Sequence, residues 1–429
     1  QYPKSFGVNY LEGGLLSFIF KNDNYIFFLV EYFKNIFIKY SRLPCASLFF
    51  LLFLISSISP TQANEGAYWS QSVNVFNFSC TDGDVDCWTD KRNSLETLPL
   101  QIYAPLKPNQ VNNKHHICVS FPHLKDSYWV GVAYGIITEG RRLGQKITLF
   151  EAGGYTNLDA QLNQVDDCIT NGGEALIIGP ISSNGNAKQI EIIREKGIPV
   201  IVLVTGINTA VDANSLQSFI DMGYTSCKWV LDQEIDNPNE TNIVWFPGPP
   251  GAGWSIASNV GCLKALNGSK IKILETNWGD TGKSIQLQLV EETLQNLASG
   301  PEPEFKYIVG TGTTIEAAAG ALRARKLQNK IKLVSTYYTP GIDLFIKRGL
   351  ISMAPSDQMI SQARIAVDQA VRLLGGIEMA TGGRPEYNTG RITEHIQQPI
   401  LIVTPKNFNK FDSSTTLAPK GWSPVFSVN

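Results

Sequence analysis

From His116 onward the chain alternates two apolar patterns. Short unbroken runs such as ALIIG (175–179) and PVIVLV (199–204) stand between longer stretches whose apolar residues recur every third or fourth position. A strand covered on both faces reads as an unbroken run, and a helix lying on a sheet reads as a stripe. HICVSFP (116–122) therefore predicts a strand, and 128–143 a helix with Val130, Ala133, Tyr134, Ile137 and Leu143 on one side. The strand KITLFEAGG (146–154), a helix over 157–171, the strand EALIIGP (174–180), a helix through 185–197 and the strand IPVIVLVTG (198–206) follow. The rhythm then restarts, with helices predicted over 224–233, 254–267, 283–298 and 314–327. Between and after them come the strands TNIVWFPG, KIKILETN, FKYIVGTG and KIKLVSTYY. The fold class this predicts is α/β, with two doubly wound parallel-sheet lobes.

The tail holds too little to build a third core. MISQARIAVDQAVRLLGG (359–376) is one helix with apolar residues at 360, 363, 367, 370, 371 and 374, and PILIVTP (399–405) is one strand. Each must return to an existing lobe, which implies several chain crossings and a cleft where strand carboxyl ends face one another. The expected organisation is an amino-terminal arm over 64–113, a first lobe over 114–220 and 356–390, and a second over 221–355 and 391–429. Trp229 and Trp245, inside a helix and a strand, read as core; Arg141 and Arg142 read as a solvated helix face.

Residues 1–63 stand apart. Those from 1 to 38 have no clean period and read as an upstream extension. Lys39 and Arg42 then precede an apolar run, Leu43 to Ile58, which ends at Thr61-Gln62-Ala63. That is the layout of an export signal, expected to be cut after Ala63 and to deliver the chain to the periplasm. The composition, 43% hydrophobic and 17% charged with a net charge of −2, fits ordinary globular lobes and gives no basic surface for nucleic acid. Cys80 and Cys87 flank a turn-rich loop and could close a small disulfide in an oxidising compartment. Cys118, on a core strand, and Cys168 and Cys262, on apolar helical faces, read as buried free thiols; Cys227 fits no pattern.

The candidate chemistry lies at the strand ends. Asp126, Tyr128 and Trp129 follow the first strand, and Tyr155 the second. Asp221 and Tyr224 stand near the first crossing, Trp254 follows PGPPGAG, Trp278 and Asp280 follow the next strand, and Tyr337 and Tyr338 the last. A sugar site needs a paired polar group for each buried hydroxyl. Here the corresponding turns TGIN (205–208) and TGTT (311–314) carry no arginine. Ring faces with few polar groups suit a methylated, positively charged nitrogen instead, at about 0.5 to 2 kcal/mol per favourable ring. The histidines beyond the export signal, His115, His116, His123 and His395, are not spaced for a metal, and none stands beside a nucleophile, phosphate loop or serine elbow. No catalytic function and no cofactor is expected.

SYWVGVAYGIITEGRRLGQKITLFEAGGYTNLDAQ (127–161), LIIGPISSNG (176–185), FPGPPGAGWS (246–255) and STYYTPG (335–341) resemble segments of the type I periplasmic binding proteins. The resemblance lies in the ribose-binding branch, with a member that senses trimethylamine N-oxide, and covers roughly residues 68–425. It implies a ligand box of Asp126, Tyr128, Trp129, Tyr155 and Tyr338, with Tyr224 and Trp254 beside it. It also implies trimethylamine N-oxide, or a similar methylated amine, as ligand. The implied partner is the periplasmic domain of a membrane sensor histidine kinase of a two-component system controlling anaerobic N-oxide respiration. The alternative is the substrate-binding component of a transporter for a sugar or a quaternary amine.

Overall fold

A computed structural model of the chain describes residues 73–81, 100–380 and 392–429. The expected export signal and the Cys80–Cys87 disulfide lie outside the residues whose backbone and side chains are described. No described helix is long and apolar enough to cross a membrane.

The first sheet is built on His116–Phe121 (β3), Lys146–Glu151 (β4), Ala175–Ile178 (β5), Val200–Val204 (β6) and Ala213–Leu216 (β7). Val73–Thr81 (β1), Gln101–Tyr103 (β2), Ile392–Gln397 (β13) and Ser427–Val428 (β15) complete it, in the order β15-β4-β3-β5-β6-β7-β13-β1-β2. The strands from β4 to β13 run parallel, and β1, β2 and β15 add antiparallel edges. Helices Ser127–Arg142 (α1), Leu158–Thr170 (α2) and Ala187–Glu195 (α3) alternate with the strands as the sequence predicts.

The second sheet is parallel throughout, in the order β11-β10-β8-β9. Its strands are Thr241–Gly248 (β8), Ile271–Trp278 (β9), Tyr307–Gly310 (β10) and Lys332–Ser335 (β11). Around it lie Phe219–Gln233 (α4), Gly253–Leu266 (α5), Lys283–Leu297 (α6), Gly312–Ala324 (α7) and Pro340–Lys347 (α8). Ala354–Ser356 (β12) pairs with Leu401–Val403 (β14) in a separate ribbon.

The lobe boundaries differ from expectation at both ends. The arm is part of the first sheet, because β1 and β2 extend it beyond β13. The segment 391–429 is shared rather than belonging wholly to the second lobe. Strand β13 inserts between β7 and β1, β14 joins the ribbon, and β15 returns to the edge beside β4. ITEHIQ and ANSL carry no unbroken apolar run, so neither announces a central strand.

Helix α9 (Met359–Gly375) is buried from Met359 to Leu373 on every side, not along one stripe. It packs on α1 and on β5, β6 and β7. Its charged residues find partners inside the protein, as buried charges need to, while Ser361 Oγ, Gln362 Oε1 and Gln369 Oε1 have no hydrogen-bond partner among the described residues. Asp368 accepts from the Tyr103 hydroxyl and the Leu106 amide, both at 2.6 Å, and from Arg372 Nε at 2.6 Å. Arg364 reaches Thr138 Oγ1 at 2.8 Å and Glu139 at 3.4 Å. Arg142 also turns inward, onto Glu139 and the Leu106 carbonyl, which corrects its reading as a solvated residue. Trp245 is fully buried, and Trp229 packs partly buried against the same cluster.

The buried cysteines are bonded. Cys118 on β3 pairs with Cys168 on α2, and Cys227 on α4 with Cys262 on α5. The reading of Cys118, Cys168 and Cys262 as free thiols is therefore corrected. A thiol and a disulfide sulfur occupy the same apolar positions, and separations of 50 and 35 residues leave no local trace of pairing.

Candidate functional site

Asp126 begins the site because it begins α1. Its Oδ1 accepts from the amides of Tyr128 at 3.1 Å and Trp129 at 3.2 Å, capping the helix. The cap fixes the first turn so that both rings face the space between the lobes. Tyr155, after β4, closes on them: Trp129 Nε1 donates to the Tyr155 hydroxyl at 3.2 Å. Val204 and Thr205, at the end of β6, add a wall. Val204 stands at φ 69°, a conformation rare for a β-branched residue and one that costs about 1 to 3 kcal/mol locally.

The other side comes from Phe219, the first residue of α4, Trp254, in the first turn of α5, Thr281, after β9, and Tyr337, after β11. The rings form a closed circuit. Trp129 meets Tyr128 at 5.8 Å, Tyr128 meets Tyr337 at 5.6 Å, Tyr337 meets Trp254 at 6.5 Å and Trp254 meets Tyr155 at 6.1 Å, the last linked back to Trp129. Phe219 backs Trp254 at 5.9 Å. The space among the rings is about 330 Å³, part of it open to solvent. Asp126 is the one charged side chain among its lining residues.

Thus Asp126, Tyr128, Trp129, Tyr155 and Trp254 converge, while Tyr338 and Tyr224 lie elsewhere. Tyr338 is fully buried in the second lobe, donating to Asp343 at 2.9 Å and stacking edge-on against Phe411 at 4.9 Å. Tyr337 and Tyr338 are neighbours where the chain bends after β11, and it is Tyr337 that lines the cavity. Tyr224 sits within α4, half-buried, with the Lys264 ammonium 6.0 Å from its ring centre. Helix α4 starts at Phe219 because Ser218 caps it, accepting from Asp221 N at 3.2 Å. The residue at the end of the crossing is accordingly Phe219. Sequence reading missed Phe219, Thr281, Val204 and Thr205; the serine before Phe219 is the signal that locates the helix start.

The hydroxyls keep their protons. Burial, then the Asp126 charge, pushes Tyr155 and Tyr337 well above the ordinary tyrosine range. Tyr128 is raised by burial and by Asp357, to which it donates at 2.5 Å; burial in turn raises the Asp357 carboxyl. Tyr155 already accepts from Trp129, so its own O–H can turn to an acceptor in the cavity.

His123 lies beneath, fully buried and edge-on to Tyr155 at 5.2 Å. Its Nδ1 accepts from Lys125 N at 3.3 Å, so the neutral ring carries its proton on Nε2, 4.0 Å from Asp126 Oδ2. Burial lowers its pKa from 6.5, opposed by Asp126, Asp280 and Glu151 and reinforced by Lys125. A lowered folded-state value means that the unfolded chain binds the proton more readily. The contribution of His123 to stability is therefore whole above pH 6.5 and lost as pH falls below that value. Urea midpoints measured from pH 8 to pH 5 should fall more steeply for the native protein than for His123→Gln; identical profiles would refute this.

Among the described residues, one group has metal-ligand geometry, His116 with Cys118 and Cys168, but its sulfurs are joined to each other.

Comparison with known proteins agrees with this architecture. A family model described as a periplasmic binding protein domain matches residues 117–378. The periplasmic protein TorT of Escherichia coli (strain K12) is 32% identical over 332 residues, which is 76% of this chain and 88% of the relative. An ABC transporter solute-binding protein from Bradyrhizobium sp. BTAi1, solved with bound Bis-Tris, is 43% identical with a TM-score of 0.64, covering 76% of this chain and 93% of that one. The complex of the TorS sensor domain with TorT in the presence of trimethylamine N-oxide gives 28% identity and a TM-score of 0.63, covering 73% of this chain and 100% of that one. With both parallel-sheet lobes and a family match through most of them, the chain belongs to the periplasmic binding protein family.

Proposed function

We propose that this protein is a periplasmic receptor that binds trimethylamine N-oxide, or a close methylated amine, and reports its presence by contact with the periplasmic domain of a membrane sensor histidine kinase. The observation that carries this reading is the closed aromatic circuit with one carboxylate on its wall. Ring faces attract the methylated cationic end at about 0.5 to 2 kcal/mol each. The Asp126 carboxylate complements the same end, and the Tyr155 O–H suits the N-oxide oxygen. Binding is the whole task, with no turnover.

Signalling follows from where the rings come from. Tyr128, Trp129 and Tyr155 belong to the first lobe, and Trp254 and Tyr337 to the second. A ligand touching both favours the lobe arrangement that completes the circuit. A coupling of about 1 to 3 kcal/mol is enough to bias a partner that reads that arrangement. The likeness to TorT, which was solved with the TorS sensor domain, supports such a partner. A second reading, delivery of an amine to a permease, draws on the Bradyrhizobium relative: Bis-Tris is a tertiary amine with hydroxyl arms.

Calorimetric titration with trimethylamine N-oxide, glycine betaine and ribose tests the box. Trimethylamine N-oxide is expected to bind, ribose to be silent, and Trp254→Ala to weaken the N-oxide about tenfold. Heat from ribose with silence from the methylated compounds would overturn the reading. Retention of the TMAO-loaded protein by an immobilised kinase sensor domain separates receptor from carrier.

A further inference from the structure

A second, larger compartment opens off the aromatic box. Its space is about 750 Å³, part of it open to solvent, and it shares Thr205, Phe219 and Trp254 with the box. Its character is different. Ser183, Asn208 and Gln217 line it beside the shared residues, and no charged side chain does. Ser183 Oγ and Asn208 Nδ2 are occupied, donating to the Gly206 carbonyl at 3.1 Å and to Asn184 Oδ1 at 2.6 Å.

Gln217 is not fully occupied. The residue is 1% exposed, and its Nε2 has no hydrogen-bond partner among the described residues. The orientation of the amide is fixed, because Oε1 accepts from the Ser218 backbone N–H at 2.7 Å and only an oxygen can do so. The free end is therefore a donor. The Gln217 backbone amide bonds the Val204 carbonyl at 3.1 Å, so the residue that carries this donor lines the compartment next to the Val204 wall of the box. A buried donor without an acceptor is costly, and a ligand that brings one recovers that cost.

We infer that the compartment is a subsite for an uncharged, oxygen-bearing arm of the ligand, so that the site accepts hydroxyalkyl ammonium ions of the choline class, with the methylated head in the box and the hydroxyl on Gln217 Nε2. A carboxylate arm is disfavoured, since no lining cation would pair it once desolvated. The inference rests on the box reading proposed above and extends it to ligands longer than trimethylamine N-oxide.

Choline and propyltrimethylammonium form the decisive pair: equal charge, nearly equal size, a hydroxyl against a methyl. A hydroxyl is better hydrated than a methyl, so without a protein partner choline binds the more weakly of the two. With the partner, the native protein is expected to prefer choline about fivefold. Gln217→Leu should abolish or reverse that preference, a ratio read within one protein and so independent of any general loss from removing the acceptor of the Ser218 N–H. Equal or weaker choline binding by the native protein, or a preference that survives Gln217→Leu, overturns the subsite. If trimethylamine N-oxide still binds in those cases, the box reading stands. Silence from all three ligands overturns the box and the subsite together. Should Gln217→Leu fail to fold, the native comparison alone decides.

Discussion

Replacing Cys118, Cys168, Cys227 and Cys262 together by alanine is expected to bring the protein close to the midpoint of unfolding. The two bonds close segments of 50 and 35 residues. By chain entropy each removes about 4 kcal/mol of freedom from the unfolded state, and about 2 to 4 kcal/mol is the usual yield. The total net stability of a domain is about 5 to 15 kcal/mol, so losing both bonds consumes most of it. Urea unfolding of the quadruple variant checks this; a midpoint within experimental error of the native one would refute it. The two bonds should also differ functionally. Cys118–Cys168 ties β3 to α2 within the first lobe, away from the cavity lining. Cys227–Cys262 ties α4 to α5, the helices that open with Phe219 and Trp254. Under conditions where both double variants remain folded, only Cys227→Ala/Cys262→Ala is expected to weaken the amine ligand.

Sequence periodicity carried furthest where burial is two-sided and apolar. Strands β3 and β8 lie within a residue of where HICVSFP and TNIVWFPG place them, because apolar residues dominate each run and Ser120 alone interrupts the first. Strand β7 is equally buried, yet ANSL reads as a loop. Its Ser215 hydroxyl bonds the Gln362 carbonyl at 2.8 Å, and its Asn214 carbonyl accepts from Gln369 at 3.2 Å, both on α9. Polar residues satisfied by a distant helix are indistinguishable, in one sequence, from polar residues satisfied by water. The same ambiguity hides the buried charges of α9.

The box was legible to the extent that local chemistry fixes it. Asp126 is a helix cap that sequence can find, and the cap delivers Tyr128 and Trp129. Tyr337 against Tyr338 depends on how the chain bends after β11, and Phe219 against Tyr224 on where a helix begins. Those choices are made by packing across the cleft, which no window of sequence contains. The subsite around Gln217 depends on a donor left without a partner, a property of the folded molecule alone.

Gly261→Ala is expected to damage both stability and binding, through one contact. Helices α4 and α5 approach so closely that a Cβ on Gly261 would lie inside the carbonyl of Ile220, and one on Gly223 inside the carbonyl of Ser258. Both obstacles are backbone, so no side chain can rotate away, and the helices must part. Forced overpacking costs about 1 to 3 kcal/mol or more, against about 1 kcal/mol gained from the better helix propensity of alanine. Because both obstacles are backbone, the upper end of that range applies, and a net loss of up to about 2 kcal/mol is expected in urea unfolding. Gly320→Ala, in α7 with open space around its Cβ position, is the control and should be neutral or stabilising by up to about 1 kcal/mol. Parting the helices also moves the two rings that open them, Phe219 and Trp254, now 5.9 Å apart. The circuit would then be broken on its second-lobe side, and affinity for trimethylamine N-oxide should fall about tenfold below that of the Gly320→Ala protein. Native-like stability and affinity in Gly261→Ala would mean that the paired helices do not hold the aromatic wall in place, and the link drawn here between their packing and the ligand would fail.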